Sequence, residues 1–357
     1  MLKINDLLQA AIQRNASDLH LVANYNPTVR VDGKLMPVVD FPVMMHEQIH
    51  AFIEETLNPE QKELFSANKE FDYSYTLDNW RFRVNIYTQQ GTSAADFRLI
   101  PAKIKTIEEL SLPTICHKFT TVQQGLVLIV GPTGHGKTTS IASILQEINL
   151  NQKKNIITIE DPIEFIFPKA QSVISQREVF WDTLSWDKAL RSALREDPDV
   201  VVIGEMRDYE TIASALTIAE TGHLVFTTLH TNSAAQTIDR IVDVFPASQQ
   251  AQVRQQLSNV LEAIVSIRLT NRLEGGRIPA CEILTATAAV RSTIREGKTH
   301  LIDNVIQTSA EYSMVSLEKY LASLIQSGKI SDEEGKRWAL RPQELERYIE
   351  NRTIGKL

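Results

Sequence analysis

LVLIVGPTGHGKTT, Leu126–Thr139, runs from a short apolar stretch through a glycine loop to Lys137 and Thr138. The spacing is G-x-x-x-x-G-K-[ST], the pattern of a phosphate-binding loop. Gly131, Gly134 and Gly136 allow tight turns and close backbone approach, so that amide N–H groups point inward at phosphate oxygens. Lys137 is placed to reach the β- and γ-phosphates, and the Thr138 hydroxyl to hold Mg²⁺ where a helix begins with its positive dipole end. An accidental glycine turn would lack this context: the loop sits between a buried-strand pattern and a helical one. The residues expected to bind the nucleotide are Gly131, Pro132, Thr133, Gly134, His135, Gly136, Lys137, Thr138 and Thr139.

Working outward, the grammar on the C-terminal side is strand alternating with helix, which implies a mostly parallel sheet covered on both faces. Candidate strands are LVLIV, NIITIE, DVVVIGE and HLVFTTLH. The last three end near Glu160-Asp161, Glu205 and His230, and the carboxyl ends of parallel strands are where ligands bind. Beyond Ser233 the chain reads as largely helical, with PASQQAQVRQQLSNVLEAIVSIRL taken as one long amphipathic helix. On the N-terminal side, Ile4, Leu7, Leu8, Ala11 and Ile12 follow helical spacing, and DLHLV, TVRVD and KLMPV read as short strands with turns at Asn26-Pro27 and Asp32-Gly33. Two short helices follow, the second opened by Asn58 as N-cap and Pro59 at the first position. FDYSYTL and WRFRVNIYT make a hairpin about Asp78-Asn79, with Phe82, Val84 and Ile86 on one face and Arg81, Arg83 and Asn85 on the other. TSAADFRLI closes the region near Pro101, and Pro101–Thr121 reads as a connector with a short helix.

The chain has 357 residues, 43% hydrophobic and 23% charged, enough for two domains with real cores. No run approaches the roughly 18 apolar residues of a membrane span, and MLKINDLLQAAIQ is amphipathic and acid-containing rather than signal-like, so a cytoplasmic location is expected. Cys116 and Cys281 lack C-x-x-C spacing and read as packing residues. A net charge of −7 argues against nucleic acid as the main partner.

Phosphoryl transfer depends on positioning and electrostatics, so a phosphate-binding loop needs a magnesium clamp and a group that orients water. Carboxylates supply both. Glu205, ending VVVIGE, has a Walker-B-like place and is the expected second metal-holding residue beside Thr138; Glu160, Asp161 and Glu164 lie in TIEDPIEF near the preceding strand end. A solvated acidic turn opened by Asp-Pro is the plainer account of the latter. Two acidic strand ends beside one phosphate loop favour function. His223 and His230 bracket HLVFTTLH and suggest a γ-phosphate sensor, while their spacing disfavours a shared metal. Arg195 in SALREDPD is open to pairing with Glu196 or Asp197. Arg81, Arg83 and Arg98 lie in the other domain, and a contact with phosphate would come across a subunit boundary, as arginine fingers do.

These residues resemble the type IV pilus retraction branch of the secretion-superfamily hexameric ATPases, over nearly the whole chain. The likeness runs through ASDLHL, VRVDGKL, RFRVN and FRLIP, then GPTGHGKTT, TIEDPIEF, ALREDPDVVVIGEMRDYETI, AETGHLVFTTLHTNSAAQTIDRIVDVFP and VRSTIREGK. These are similar to the family's Walker A, Asp box, Walker B, His box and C-terminal motif. The resemblance implies an α/β protein: a PAS-like α+β domain over residues 1–100, a linker over 101–121, and a RecA-like ATPase domain with a helical C-terminal region over 122–357. It implies a homohexamer on the cytoplasmic side of the inner membrane, held there through a pilus platform protein, using ATP and Mg²⁺. The family's nucleotide-binding roles carry over to Lys137 and Thr138, and its catalytic roles to Glu160, Asp161, Glu164, Glu205, His223 and His230, and more loosely to Arg81, Arg83 and Arg98. His135 departs from the family's serine, with only its backbone N–H expected to matter. TIREGKTH departs around the C-terminal motif but keeps the IREGK core.

The sibling pilus-assembly and type II secretion ATPases share the nucleotide motifs. They generally carry an extra N-terminal domain and a four-cysteine zinc segment, so two cysteines and a start at the PAS-like domain favour retraction. A nucleic-acid translocase is disfavoured by the acidic balance, and a non-hydrolysing scaffold by Glu205 and TIEDPIE.

Overall fold

The computed structural model describes residues 2–31, 33–78, 80–100 and 103–354. They form two compact units, one of residues 1–103 with 162–166, the other of residues 104–161 with 167–357. The expected turns at Asp32 and Asn79 and the boundary at Pro101 fall on positions outside the described residues.

In the first unit, α1 (Ile4–Gln13) buries Ile4, Leu7, Leu8 and Ala11, the face its spacing implied. Strands β1 (Asp18–Leu21), β2 (Thr28–Val31) and β3 (Lys34–Pro37) lead to helices α2 (His46–Thr56) and α3 (Pro59–Asn68). The Asn58 side chain accepts from the Gln61 amide at 2.9 Å, with Pro59 opening α3, so the cap read from sequence is present. Strands β4 (Glu70–Leu77), β5 (Trp80–Gln89) and β6 (Thr92–Ile100) complete a sheet of order β3-β2-β1-β6-β5-β4. All its pairings are antiparallel. Alternation in β5 sorts its residues as expected: Phe82, Val84 and Ile86 are buried, and Phe82 meets Phe97 edge to face at 6.5 Å.

The second unit opens with residues that read as a connector but are core. Ile107 and Leu112, with Ile115, Cys116 and Phe119 of α4 (Ile115–Phe119), pack against Val127 and Ile129. Then come β7 (Gly125–Val130), α5 (Lys137–Asn151), β8 (Asn155–Glu160), β9 (Val173–Glu178), α6 (Trp186–Ala193), β10 (Val200–Ile203), α7 (Tyr209–Glu220), β11 (Leu224–Leu229), α8 (Ala234–Asp243) and α9 (Ala247–Val260). Strands β12 (Leu261–Asn271) and β13 (Arg277–Thr285) follow, then α10 (Ala288–Arg295), α11 (Ile302–Thr308), α12 (Leu317–Gln326), α13 (Asp332–Trp338) and α14 (Pro342–Ile354). The sheet order is β13-β12-β7-β11-β10-β8-β9, parallel except for β13.

Two expectations are corrected. The long helix stops at Val260 rather than Leu269, because Leu261–Asn271 is a strand between β7 and β13. Its residues Ala263 to Ile267 are all buried, so no alternation marks the strand, and a run covered on both faces has no period to separate it from a buried helix. Strand β9 went unread for the opposite reason: it is a polar edge strand whose Val173 is exposed.

Cys116 and Cys281 are free and buried, and burial pushes the Cys116 thiol up to about 12, which suits packing rather than reactivity. The β12–β13 hairpin and α12 also bury charge. Arg268, Glu282 and Glu318 are buried, with Glu282 Oε1 accepting from the Ala234 amide at 2.8 Å and Glu318 Oε1 from the Leu340 and Arg341 amides at 3.1 and 2.9 Å. Burial raises the Glu282 carboxyl from 4.5 to about 7, against the Ala234 hydrogen bond that lowers it. A raised folded-state value means that the folded chain holds the proton that the unfolded chain releases. The resulting stability is full below about 4.5 and is lost as pH rises through about 7. Glu282→Gln, which keeps the acceptor, should flatten that slope and stabilise the protein at pH 8 by about 1–3 kcal/mol. Denaturant melts of both proteins at pH 5 and pH 8 measure it, and parallel pH dependences would contradict the assignment.

Candidate nucleotide-binding site

The parallel register places four strand ends side by side. In the order β7, β11, β10 and β8 they carry the glycine loop, His230, Glu205 and Glu160. The matched pairs Val130↔Leu229, Ile203↔Thr227 and Ile203↔Ile159 bring these ends to one edge of the sheet. What sequence spreads over about a hundred residues is thereby collected at the site that open parallel sheets reserve for ligands.

The loop itself is held by backbone. The Gly131 amide donates to the Leu229 carbonyl at 3.3 Å, and Gly131 sits at φ +143° with the Ile267 carbonyl so close that a Cβ would lie 2.3 Å from its oxygen. Gly136, at φ +83°, is the N-cap of α5 and offers no side-chain acceptor to the first-turn amides. Those amides, the helix dipole and Lys137 fit a phosphate group. Lys137 is buried, its Nζ donating to the Gly131 and Pro132 carbonyls at 2.9 and 3.0 Å. Thr138 and Thr139 are half-buried in the first turn of α5.

His230 joins the loop to Glu205. Its Nδ1 lies 3.1 Å from the Thr133 hydroxyl and 3.5 Å from Lys137 Nζ, while Nε2 lies 3.1 Å from Glu205 Oε2. With an ammonium group on one side and a carboxylate on the other, Nδ1 is the acceptor and Nε2–H the donor, which is a neutral ring. Although the side chain is 46% exposed, partial desolvation first, then the charges of Lys137 and Arg207, lower the imidazole pKa below its ordinary range. Glu205 also pairs with Arg207, a partner the sequence reading did not assign. Glu160 is buried, and its Oε1 accepts from the Thr158 hydroxyl at 2.6 Å and the Gln176 amide at 3.2 Å.

Other predicted residues are placed elsewhere. His223 precedes β11 at the opposite edge of the sheet, about 20 Å from the loop along a six-residue strand, where it hydrogen-bonds the Ile218 carbonyl at 3.0 Å as α7 ends. The strand that links the two histidines therefore separates them. Asp161 is exposed just beyond β8, and Glu164 belongs to the first unit with Arg83 3.9 Å away. In that unit Arg81 donates to the Ile163 carbonyl at 3.0 Å and to the Ser74 hydroxyl at 2.6 Å. Burial would raise Asp18, but hydrogen bonds from Arg98 and Ser17 hold its carboxyl low, so Arg98 is engaged in the sheet. Arg195 is exposed, and Glu196 pairs instead with Arg177 at 2.9 Å.

One residue near the site escaped the sequence reading, and another has a side-chain contact it did not assign. Arg268 donates to the Asn232 carbonyl at 2.9 Å, steadying the turn after His230; it was hidden by the helical reading of β12. The side chain of His135, expected to be idle, accepts from the Leu269 amide at 2.9 Å.

The family model described as Type II/IV secretion system protein matches residues 1–330. The chain belongs to this family. It is similar to the Type IV pilus retractation ATPase PilT of Pseudomonas aeruginosa, 46% identical over 95% of this chain and 99% of that protein. It is also similar to the Twitching motility protein of Neisseria gonorrhoeae, 44% identical over 94% of this chain and 90% of that protein. A crystal structure of the pilus retraction motor PilT with bound ADP superposes with a TM-score of 0.91 at 42% identity, covering 97% of this chain and all of that one.

The backbone contact at Gly131 yields a direct expectation. Gly131→Ala must displace either the loop or the Ile267 carbonyl, so it should destabilise the second unit by about 2–4 kcal/mol and weaken ADP binding at least tenfold. Calorimetric titration with ADP, alongside a melt, checks both.

Proposed function

We propose that this chain is an ATPase motor that powers retraction of type IV pili. It acts as a homohexamer on the inner-membrane platform of the pilus, held at the cytoplasmic face through that partner. The observation that carries the reading is the row of neighbouring strand ends: phosphate loop, His230, Glu205 and Glu160. The near full-length likeness to a retraction ATPase supplies the biological direction. Among the described residues no helix is long and apolar enough to cross a membrane, which is compatible with attachment through a partner.

In this reading the amides of Gly134 to Thr138 and the Lys137 ammonium bind the phosphates, and the α5 dipole adds to their pull on negative charge. The Thr138 hydroxyl and, through water, Glu205 would hold Mg²⁺, which would supply charge neutralisation at the phosphates. Glu205 orients the attacking water, with Glu160 and Asp161 supporting at the adjoining strand end. His230 stands between Thr133 and Glu205, so a change at the loop alters the geometry of the water-orienting carboxylate. The sensor role therefore falls to His230, and His223 is not part of it within one subunit. Arg81 and Arg83, in the unit without a phosphate loop, are proposed to serve a neighbouring subunit's nucleotide, with Glu164 beside Arg83 as their support.

Glu205→Gln should bind ADP within about threefold of wild type while losing at least a hundredfold in ATP turnover, because it removes the charge and leaves the loop untouched. Lys137→Ala should lose both. Phosphate release and ADP titration measured on the same preparations distinguish the two, and wild-type turnover by Glu205→Gln would remove Glu205 from the mechanism.

Cells lacking this protein should extend pili and fail to withdraw them. Imaging of labelled pili in the deletion strain tests the direction of the motor. A strain with no pili, in a background where retraction is otherwise blocked, would instead identify an assembly motor.

A further inference from the structure

Strand β12 outruns its neighbour. It pairs with β7 as far as Ser266↔Val130 and with β13 as far as Asn271↔Arg277, so that among the described residues no strand receives the hydrogen bonds of its last residues on the β7 side. A backbone donor left at such an edge needs a partner. The phosphate loop and α13 provide two. His135 Nδ1 takes the Leu269 amide at 2.9 Å, and Glu334 Oε1 takes the Asn271 amide at 2.8 Å. Glu334 Oε1 also accepts from Trp338 Nε1 at 3.0 Å, which fixes an indole whose ring meets the His135 imidazole edge to face at 4.8 Å. Beneath them the Leu269 side chain lies where a Cβ on Gly136 would meet its Cδ1 at 3.6 Å.

We propose that His135 is a positioning residue for the phosphate loop, its side chain clamping the loop to the overhanging end of β12 and to Trp338. The inference rests on the ATPase reading of the site. His135 stands between Gly134 and Gly136, both in the left-handed region, at φ +79° and +83°. Such a segment has much conformational freedom to lose when its amides are aimed at phosphate, and an anchored side chain between the glycines removes part of that freedom before nucleotide arrives. The G-x-x-x-x-G-K-T pattern leaves this position open, so the clamp belongs to this chain rather than to the motif. It also ties α13 to the loop: whatever shifts α13 moves the atoms that bind phosphate, and by linkage nucleotide bound at the loop stabilises α13 in place.

The test uses the full-length chain with ADP as probe and steady-state ATP turnover beside it. His135→Ala should weaken ADP binding and raise KM roughly tenfold with kcat changed less than about threefold, since the clamp acts on loop order before chemistry. His135→Asn, whose Oδ1 can occupy the place of Nδ1, should recover most of the affinity. Trp338→Leu, which spares the Leu269 hydrogen bond, should fall between. Unchanged ADP affinity in His135→Ala would overturn the proposal, as would a loss that His135→Asn does not repair or a His135→Ala chain that no longer folds, which would make the residue structural. A wild-type chain that binds no ADP would defeat the ATPase reading itself.

Discussion

The parallel register of β7, β11, β10 and β8 is the constraint on which the site depends. Each strand is an almost unbroken apolar run buried on both faces, and each passes into a polar residue or glycine at the same edge. Slipping one strand by a residue would turn its buried side chains to the other face and displace its terminal group from its neighbours. The hydrophobic core therefore does chemical work indirectly. By fixing the register of Val130 against Leu229 and of Ile203 against Thr227, it fixes the distances from Thr133 to His230 and from His230 to Glu205.

Charge at this edge is arranged so that one ring can serve two masters. Partial desolvation and the Lys137 charge lower the His230 pKa, and its Nε2–H meets a carboxylate. A protonated imidazole would repel Lys137 and could no longer accept from Thr133. The strand pairing places the histidine between the ammonium of Lys137 and the carboxylate of Glu205. Glu160, one strand further along, differs because its carboxylate is braced by Thr158 and Gln176 from the sheet itself.

Strand β12 gives the second unit much of what lies beyond a bare phosphate loop. It presents the Ile267 carbonyl that makes Gly131 obligatory, the Leu269 amide that takes His135, and the Arg268 guanidinium that holds Asn232. All three contacts were invisible while residues 261–269 read as helix. The misreading has a physical cause: in Ala263–Ile267 neither face meets solvent, so burial imposes no two-residue period, and the helix before it supplies a misleading phase.

The chain's order of residues alone determined the phosphate loop, the α/β alternation that follows it, the half-exposed hairpin of β4 and β5, and the carboxylates at strand ends. Each of these is a local matter of spacing, turn chemistry or one solvated face, and such features leave a period or a motif behind. The tertiary structure decided which of them meet. Two histidines seven residues apart, equal candidates on paper, end on opposite edges because a six-residue strand runs between them. Residues read as a connector became core because Ile107, Leu112 and Phe119 found Val127 and Ile129. His135 gained a role because a distant strand outran its neighbour and offered an amide. Contacts between residues far apart in the chain depend on register and strand length, and neither is written in any short stretch of sequence.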